Sequence, residues 1–218
     1  MTVFETLLAA FGSQSWWPAD GPFEVMVGAV LTQNTSWKNV ERALDELKSA
    51  ESLDPQVIHA MPIETLAEII RPAGYYRLKA KRLKNLVRVV VEEFGSDLEQ
   101  MFALGQASLR ERLLQINGVG PETADSIVLY AAHLPSFVVD TYTARVLKRH
   151  GWIEPEADYH RMQAEFHAEL PDDPALFNEY HALIVKVGSA YCGRQPKCES
   201  CPLADLLPEH GPLALDGP

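Results

Sequence analysis

Apolar residues recur along this chain at helical spacing, in stretches separated by glycines, prolines and short polar clusters. Thr2 to Phe11 sets Val3, Phe4, Leu7, Leu8 and Phe11 on one face and is broken by Gly12-Ser13-Gln14-Ser15. Phe23 to Thr32 is apolar almost throughout, which predicts a buried helix. A polar run follows, in which Thr35 or Ser36 suits the N-cap of a helix from Trp37 to Ala50. Asp54-Pro55 starts a further element, Ile63 to Ile70 reads as a short helix, and Arg77 to Phe94 as a long amphipathic one ended by Gly95. Met101 to Ile116, Thr123 to Ala132, Thr141 to Arg149, Tyr159 to Leu170 and Phe177 to Tyr191 continue the pattern. No stretch alternates as a half-buried strand would, so the predicted fold class is all-α.

Composition narrows this picture. The 218 residues are 47% hydrophobic, enough for a well-buried core in one domain or two closely packed ones. No apolar run approaches the roughly 18 residues of a membrane span. Met1-Thr2-Val3-Phe4 lacks a basic n-region, so no signal peptide is expected. All 3 cysteines lie between 192 and 201, which argues against a disulfide framework and for a reducing compartment, hence a cytoplasmic location.

The net charge of −11 counts against nucleic-acid binding, which needs Lys and Arg to neutralise phosphates. The charges are unevenly spread, however. Arg71, Arg77, Lys79, Lys81, Arg82, Lys84 and Arg88 occur with no acidic residue among them, and Arg145, Lys148 and Arg149 form a second cluster. A basic face on an acidic body suits a small DNA footprint; the plainer alternative is a solvated helix face.

Three stretches could carry chemistry. In Leu114 to Asp140, Gly118-Val119-Gly120 makes a tight turn, Pro121 suits the first helical position, and Glu122 sits in the first turn. A glycine-rich turn feeding a helix N-terminus is an anion site suited to one phosphate, or simply a helix–turn–helix corner. Trp16-Trp17-Pro18 is either a pair of core anchors or an aromatic wall for a base. Cys192-x5-Cys198-x2-Cys201 is compact enough to point to a metal. His181, on the last long helix, reads as an ordinary core or surface histidine.

The order LLQINGVG, helix, VVD, helix closely resembles the helix-hairpin-helix/Gly-Pro-Asp signature of the endonuclease III superfamily of DNA glycosylases. The resemblance implies two helical subdomains with the active site in the cleft between them. One would be a six-helix DNA-binding subdomain over 22–134, with the hairpin at 114–125. The other would join 1–21 to 135–218 and end in a cysteine loop at 192–207. It implies that Gly118, Val119, Gly120 and Thr123 hold a phosphate of double-stranded DNA, and that Asp140 faces the sugar of an extruded, damaged base. FEVMVGAVLTQNT resembles the family stretch whose glutamine, here Gln33, enters the gap left in the duplex. Endonuclease III itself has a nucleophilic lysine two residues after the second glycine; here that position is Glu122, which cannot form a Schiff base. A monofunctional glycosylase is therefore expected; the partner expected is duplex DNA, and the chain is expected to be a monomer.

WWP, QNT followed by Trp37, RPAGYY, AKRL and GVGPETADSI resemble the 3-methyladenine DNA glycosylase III branch. By that pattern Trp16, Trp17, Pro18 and Trp37 would line the base pocket, and indoles suit a cationic purine. A glycosylase for uracil, mismatched thymine or an oxidised base, and a non-catalytic DNA-binding relative, remain alternatives. PKCESCPLADL resembles the loop of the iron–sulfur members, with Leu207 where their fourth cysteine stands. A [4Fe–4S] cluster on Cys192, Cys198 and Cys201 is the expectation, with Asp205, Glu209 or His210 as possible fourth ligands. A zinc site using His210, or three free thiols, are the other options.

Overall fold

A computed structural model describes residues 2–215. Among them every regular element is helical, as the periodicity predicts. The α-helices are α1 (Thr2–Phe11), α2 (Pro22–Leu31), α3 (Trp37–Ser49), α4 (Pro55–Ala60), α5 (Ile63–Ile69), α6 (Tyr76–Phe94), α7 (Leu98–Phe102), α8 (Gly105–Leu114), α9 (Pro121–Ser126), α10 (Thr141–Arg149), α11 (Tyr159–Glu169) and α12 (Pro174–Ala190). Contacts group the chain into two compact units, Ala19–Ser136 and Met1–Pro18 with Phe137–Pro218. No described helix is long and apolar enough to cross a membrane.

The unit Ala19–Ser136 is built on α2 and α6. Each residue of α2 from Phe23 to Leu31 is buried, including Glu24. That carboxylate is tolerated because Lys48 lies 2.7 Å away and the Asp20 N–H donates to it at 2.9 Å. Helix α6 buries Leu83, Leu86, Val87 and Val90 and ends in Gly95 at φ 56, with the Ser96 N–H returning to the Val90 carbonyl.

Where six helices were expected over 22–134, the structure has eight. The element begun by Asp54-Pro55 is a full helix: Asp54 accepts from the Gln56 and Val57 N–H groups, and Pro55 needs no partner at its first position. The segment 101–116, read as one run, is divided because Gly105 takes φ 75, a left-handed conformation that no α-helix continues through. The helix read over 123–132 changes form too. Its first part is α9, and Ile127–Ala131 widens into a π-helical turn.

The basic stripe also needs correcting. Two of its lysines face inward and hold carbonyls. Lys79 is 1% exposed, and its Nζ donates to the Leu31 carbonyl at 2.8 Å and the Ala73 carbonyl at 2.7 Å. Burial pushes its pKa down to about 8, with the Arg82 charge assisting. Lys84 donates to the Ile58, His59 and Met61 carbonyls at the end of α4. Helix ends present unpaired carbonyls, and a cation there satisfies them. Arg77, Lys81 and Arg88 are the residues of this stripe on α6 that stay exposed.

In the second unit α1 packs on α12, with Phe4 edge-on to Tyr180 and Phe11 against Tyr191. Helix α10 crosses α12 where Gly188 lies against Tyr142; a Cβ on Gly188 would stand 2.7 Å from that of Tyr142. The loop after α1 is tied to α12 by Glu179, which accepts from Ser13 Oγ and the Gln14 N–H.

Candidate active site and hairpin

The hairpin lies wholly within Ala19–Ser136. Helices α8 and α9 flank the turn and are locked by Arg110, whose guanidinium makes two hydrogen bonds, 2.7 and 3.1 Å, to fully buried Asp125. Ser136 Oγ donates to the same carboxylate at 2.5 Å. Within the turn the Val119 N–H returns to the Ile116 carbonyl, and Gly118 takes φ 97. No hydrogen bond among the described residues takes the Gly118 or Gly120 N–H.

Gln33, Gly118 and Thr123 come together there. Gln33 Nε2 donates to the Gly118 carbonyl at 3.0 Å and to Thr123 Oγ1 at 2.9 Å. Two more residues join them: Arg82, read from the sequence only as part of the basic stripe, and Asn85, which the sequence did not single out. Arg82 donates to Gln33 Oε1 at 2.5 Å, and Asn85 Nδ2 to the Asn117 carbonyl at 2.9 Å. Trp37, in the same unit, opens α3 and donates from its indole nitrogen to Glu41 at 2.9 Å.

Asp140 belongs to the other unit and is the N-cap of α10, accepting from the Thr143 N–H at 2.7 Å. The extended segment leading to it is held by side chains of α11. Gln163 donates to the Phe137 carbonyl at 2.7 Å, the Phe137 N–H donates to His167 Nε2 at 3.2 Å, and the Val139 N–H donates to the Tyr159 hydroxyl at 3.4 Å. Phe137 stacks on Phe166 and meets Phe177 edge-on. His181, buried on α12, brings Nε2 to 3.8 Å from Asp140 Oδ1. Burial pushes the Asp140 carboxyl up, but the His181 imidazole and the Thr143 bonds outweigh it and hold the group below the ordinary carboxylate range. Asp140 is thus a half-buried carboxylate, held by the Thr143 N–H, whose charged form its surroundings favour.

Of these supports the sequence pointed to none: Gln163, His167 and His181 look like polar interruptions of helical stripes, and no local spacing ties them to Asp140. Trp16 and Trp17 are half-buried in Asp140's unit and meet edge-to-face at 5.4 Å; Pro18 beside them is exposed.

The three cysteines line one small apolar cavity with Val146, Arg149 and Leu207. Arg149 anchors the loop, donating to the Gly193 carbonyl at 2.6 Å and to Cys192 Sγ at 3.3 Å. Among the described residues no group of three or more His, Cys, Asp or Glu side chains is placed to hold a single metal ion. In an iron–sulfur cube each thiolate binds a different iron, so its thiols need only face a common space, as these do. Leu207 belongs to that lining, while Asp205, Glu209 and His210 are exposed and outside it.

An all-helical fold with a glycine hairpin and an N-capping aspartate after an extended Val-Val segment defines a helix-hairpin-helix DNA repair protein. The chain belongs to the HhH-GPD superfamily of base excision DNA repair proteins, whose model matches residues 27–172. It is 47% identical to a candidate DNA repair glycosylase of Methanocaldococcus jannaschii over 94% of this chain and 93% of that one. It is 30% identical to endonuclease III of Thermotoga maritima over 83% and 79%. Among solved structures, the H. pylori 3-methyladenine DNA glycosylase bound to 1,N6-ethenoadenine superposes with a TM-score of 0.75 at 31% identity, over 86% of this chain and 96% of that one. An endonuclease III–DNA complex superposes at 0.82 with 24% identity, over 95% and 93%, a likeness of fold. The protein is a DNA glycosylase of this superfamily.

Proposed function

We propose that it is a monofunctional glycosylase that hydrolyses the N-glycosidic bond of an alkylated purine such as 3-methyladenine in duplex DNA. The observation that carries this reading is Asp140, held by the Thr143 N–H and facing His181, combined with Glu122 at the position where a lyase needs its amine. The two lysines that burial pushes below their ordinary range, Lys79 and Lys84, have their Nζ committed to backbone carbonyls. Asp140 stabilises positive charge as the C1′–N bond breaks and its electron pair leaves with the base. Water then adds to C1′, and its proton passes to Asp140 and on to solvent. A cationic base departs neutral, so it needs little protonation by the protein.

Gly118, Val119, Gly120 and Thr123 take one phosphate, and Trp16, Trp17 and Pro18, in the unit that carries Asp140, supply a base-stacking surface. The 31% identity to a 3-methyladenine glycosylase supports the alkylpurine choice, and the 30% identity to an endonuclease III favours a lyase as the second reading. A panel of duplexes, each with one lesion, tests it. Release of 3-methyladenine should exceed that of uracil in single turnover, and equal release of uracil would remove the alkylpurine assignment.

In this reading Cys192, Cys198 and Cys201 hold a [4Fe–4S] cluster with no cysteine for one iron, serving to fix the C-terminal loop. Protein purified without oxygen is expected to be brown, with about four irons per chain. Air should bleach it, and Leu207→Cys should slow the loss. A colourless anaerobic preparation without iron or sulfide would contradict the cluster.

A further inference from the structure

We infer that Arg82 is a positioning residue for the hairpin: acting through Gln33, it fixes the Gly118 carbonyl and so the face the turn offers to a DNA phosphate. The inference rests on the phosphate-binding reading of the hairpin.

The chemistry of the donors sets the order of the contacts. A guanidinium only donates, so Gln33 must turn its Oε1 to Arg82, at 2.5 Å. Both Nε2 hydrogens then face the hairpin, one to the Gly118 carbonyl and one to Thr123 Oγ1. The Arg82 stem completes the brace. A Cβ on Gly118 would lie 2.3 Å from Arg82 Cγ, so the turn rests directly on this side chain. One residue earlier, Asn85 holds the Asn117 carbonyl. Two consecutive carbonyls are thus drawn toward α2 and α6. In a trans peptide the N–H points opposite the carbonyl of the preceding residue, so the Asn85 bond to the Asn117 carbonyl turns the Gly118 N–H outward, while the Gln33 bond orients the Gly118–Val119 peptide, whose N–H returns to the Ile116 carbonyl within the turn. An amide bonded at both ends in this way must give up those bonds to enter a duplex gap. Gln33 in the free protein is therefore a brace rather than a ready wedge.

A double-mutant cycle on the full chain tests the inference, using Arg82→Met, Gln33→Leu and the pair, with affinity for an undamaged duplex measured across a salt series. Each single change should weaken binding about tenfold and the pair no further, because both break one brace. The slope of log affinity against log salt should match wild type, since no phosphate contact is lost. A slope shallower by about 0.9 for Arg82→Met would mean that Arg82 touches a phosphate itself and would overturn the inference. So would additive losses near a hundredfold in the pair, or an effect of Gln33→Leu confined to abasic-site DNA. If Arg82→Met melts early, Gln33→Glu serves instead. It keeps a partner for Arg82 but cannot donate to Gly118, so it should lose the same tenfold, and full affinity would again overturn the inference. Wild-type protein that binds duplex DNA yet releases no base would refute the glycosylase reading alone.

Discussion

Asp140→Asn should slow release of an alkylated purine about a thousandfold while leaving the fold and the affinity for an abasic-site analogue nearly intact. Asparagine is as good an N-cap as aspartate, so its amide oxygen can still accept the Thr143 N–H that now bonds Asp140 at 2.7 Å. What is lost is the negative charge, the part that acts on the developing sugar cation. The wild-type pH profile follows from the same electrostatics. His181 and Thr143 hold the folded carboxyl below its ordinary 3.8, so the carboxylate persists through neutral and mildly acidic pH. Its contribution to stability is present above the unfolded value and is lost as pH falls through the lower folded one. Single-turnover rates should therefore show no Asp140 titration until the pH drops below the ordinary carboxylate range. Undiminished release by the asparagine variant would take Asp140 out of the reaction.

Gly118→Ala should be the most damaging single-methyl change in the hairpin. At φ 97 an alanine is strained, and its Cβ would run into Arg82 Cγ at 2.3 Å. The turn must shift, carrying its outward N–H groups away from a phosphate. Affinity for any duplex sequence should fall about ten- to a hundredfold, because the lost contact is to backbone rather than to a base. The melting temperature should fall as well. Gly120 provides the contrast: nothing lies within 4 Å of its Cβ position and its φ is −95, so Gly120→Ala should keep the melting temperature. Any affinity lost there would report the close approach of DNA itself. Full binding by Gly118→Ala, measured by anisotropy beside thermal melting, would remove the hairpin from the DNA contact.

Much of this molecule can be read from the chain, and what escapes reading does so for physical reasons. Long helices announce themselves because several turns repeat the same stripe, as in α6 and α12. Pro55–Ala60 and Leu98–Phe102 do not, since five or six residues hold too little of a period and their caps define them. Lys79 and Lys84 read as surface charge because composition ignores which helix end lies opposite; only the fold supplies the carbonyls that make a buried lysine tolerable. The hairpin and Asp140 are local motifs and stand out. Their supports, Arg82 and Gln33 for one and Gln163, His167 and His181 for the other, are assembled from distant positions and leave no spacing to find.

Base release by this protein should be hydrolysis without strand cleavage. Its most direct test is one duplex carrying a single 3-methyladenine, incubated with excess protein and divided in two, one half treated with alkali and the other with borohydride. Strand scission is expected only after alkali, with no protein–DNA adduct. Scission without alkali together with a borohydride-trapped adduct would place an amine at the sugar and contradict it.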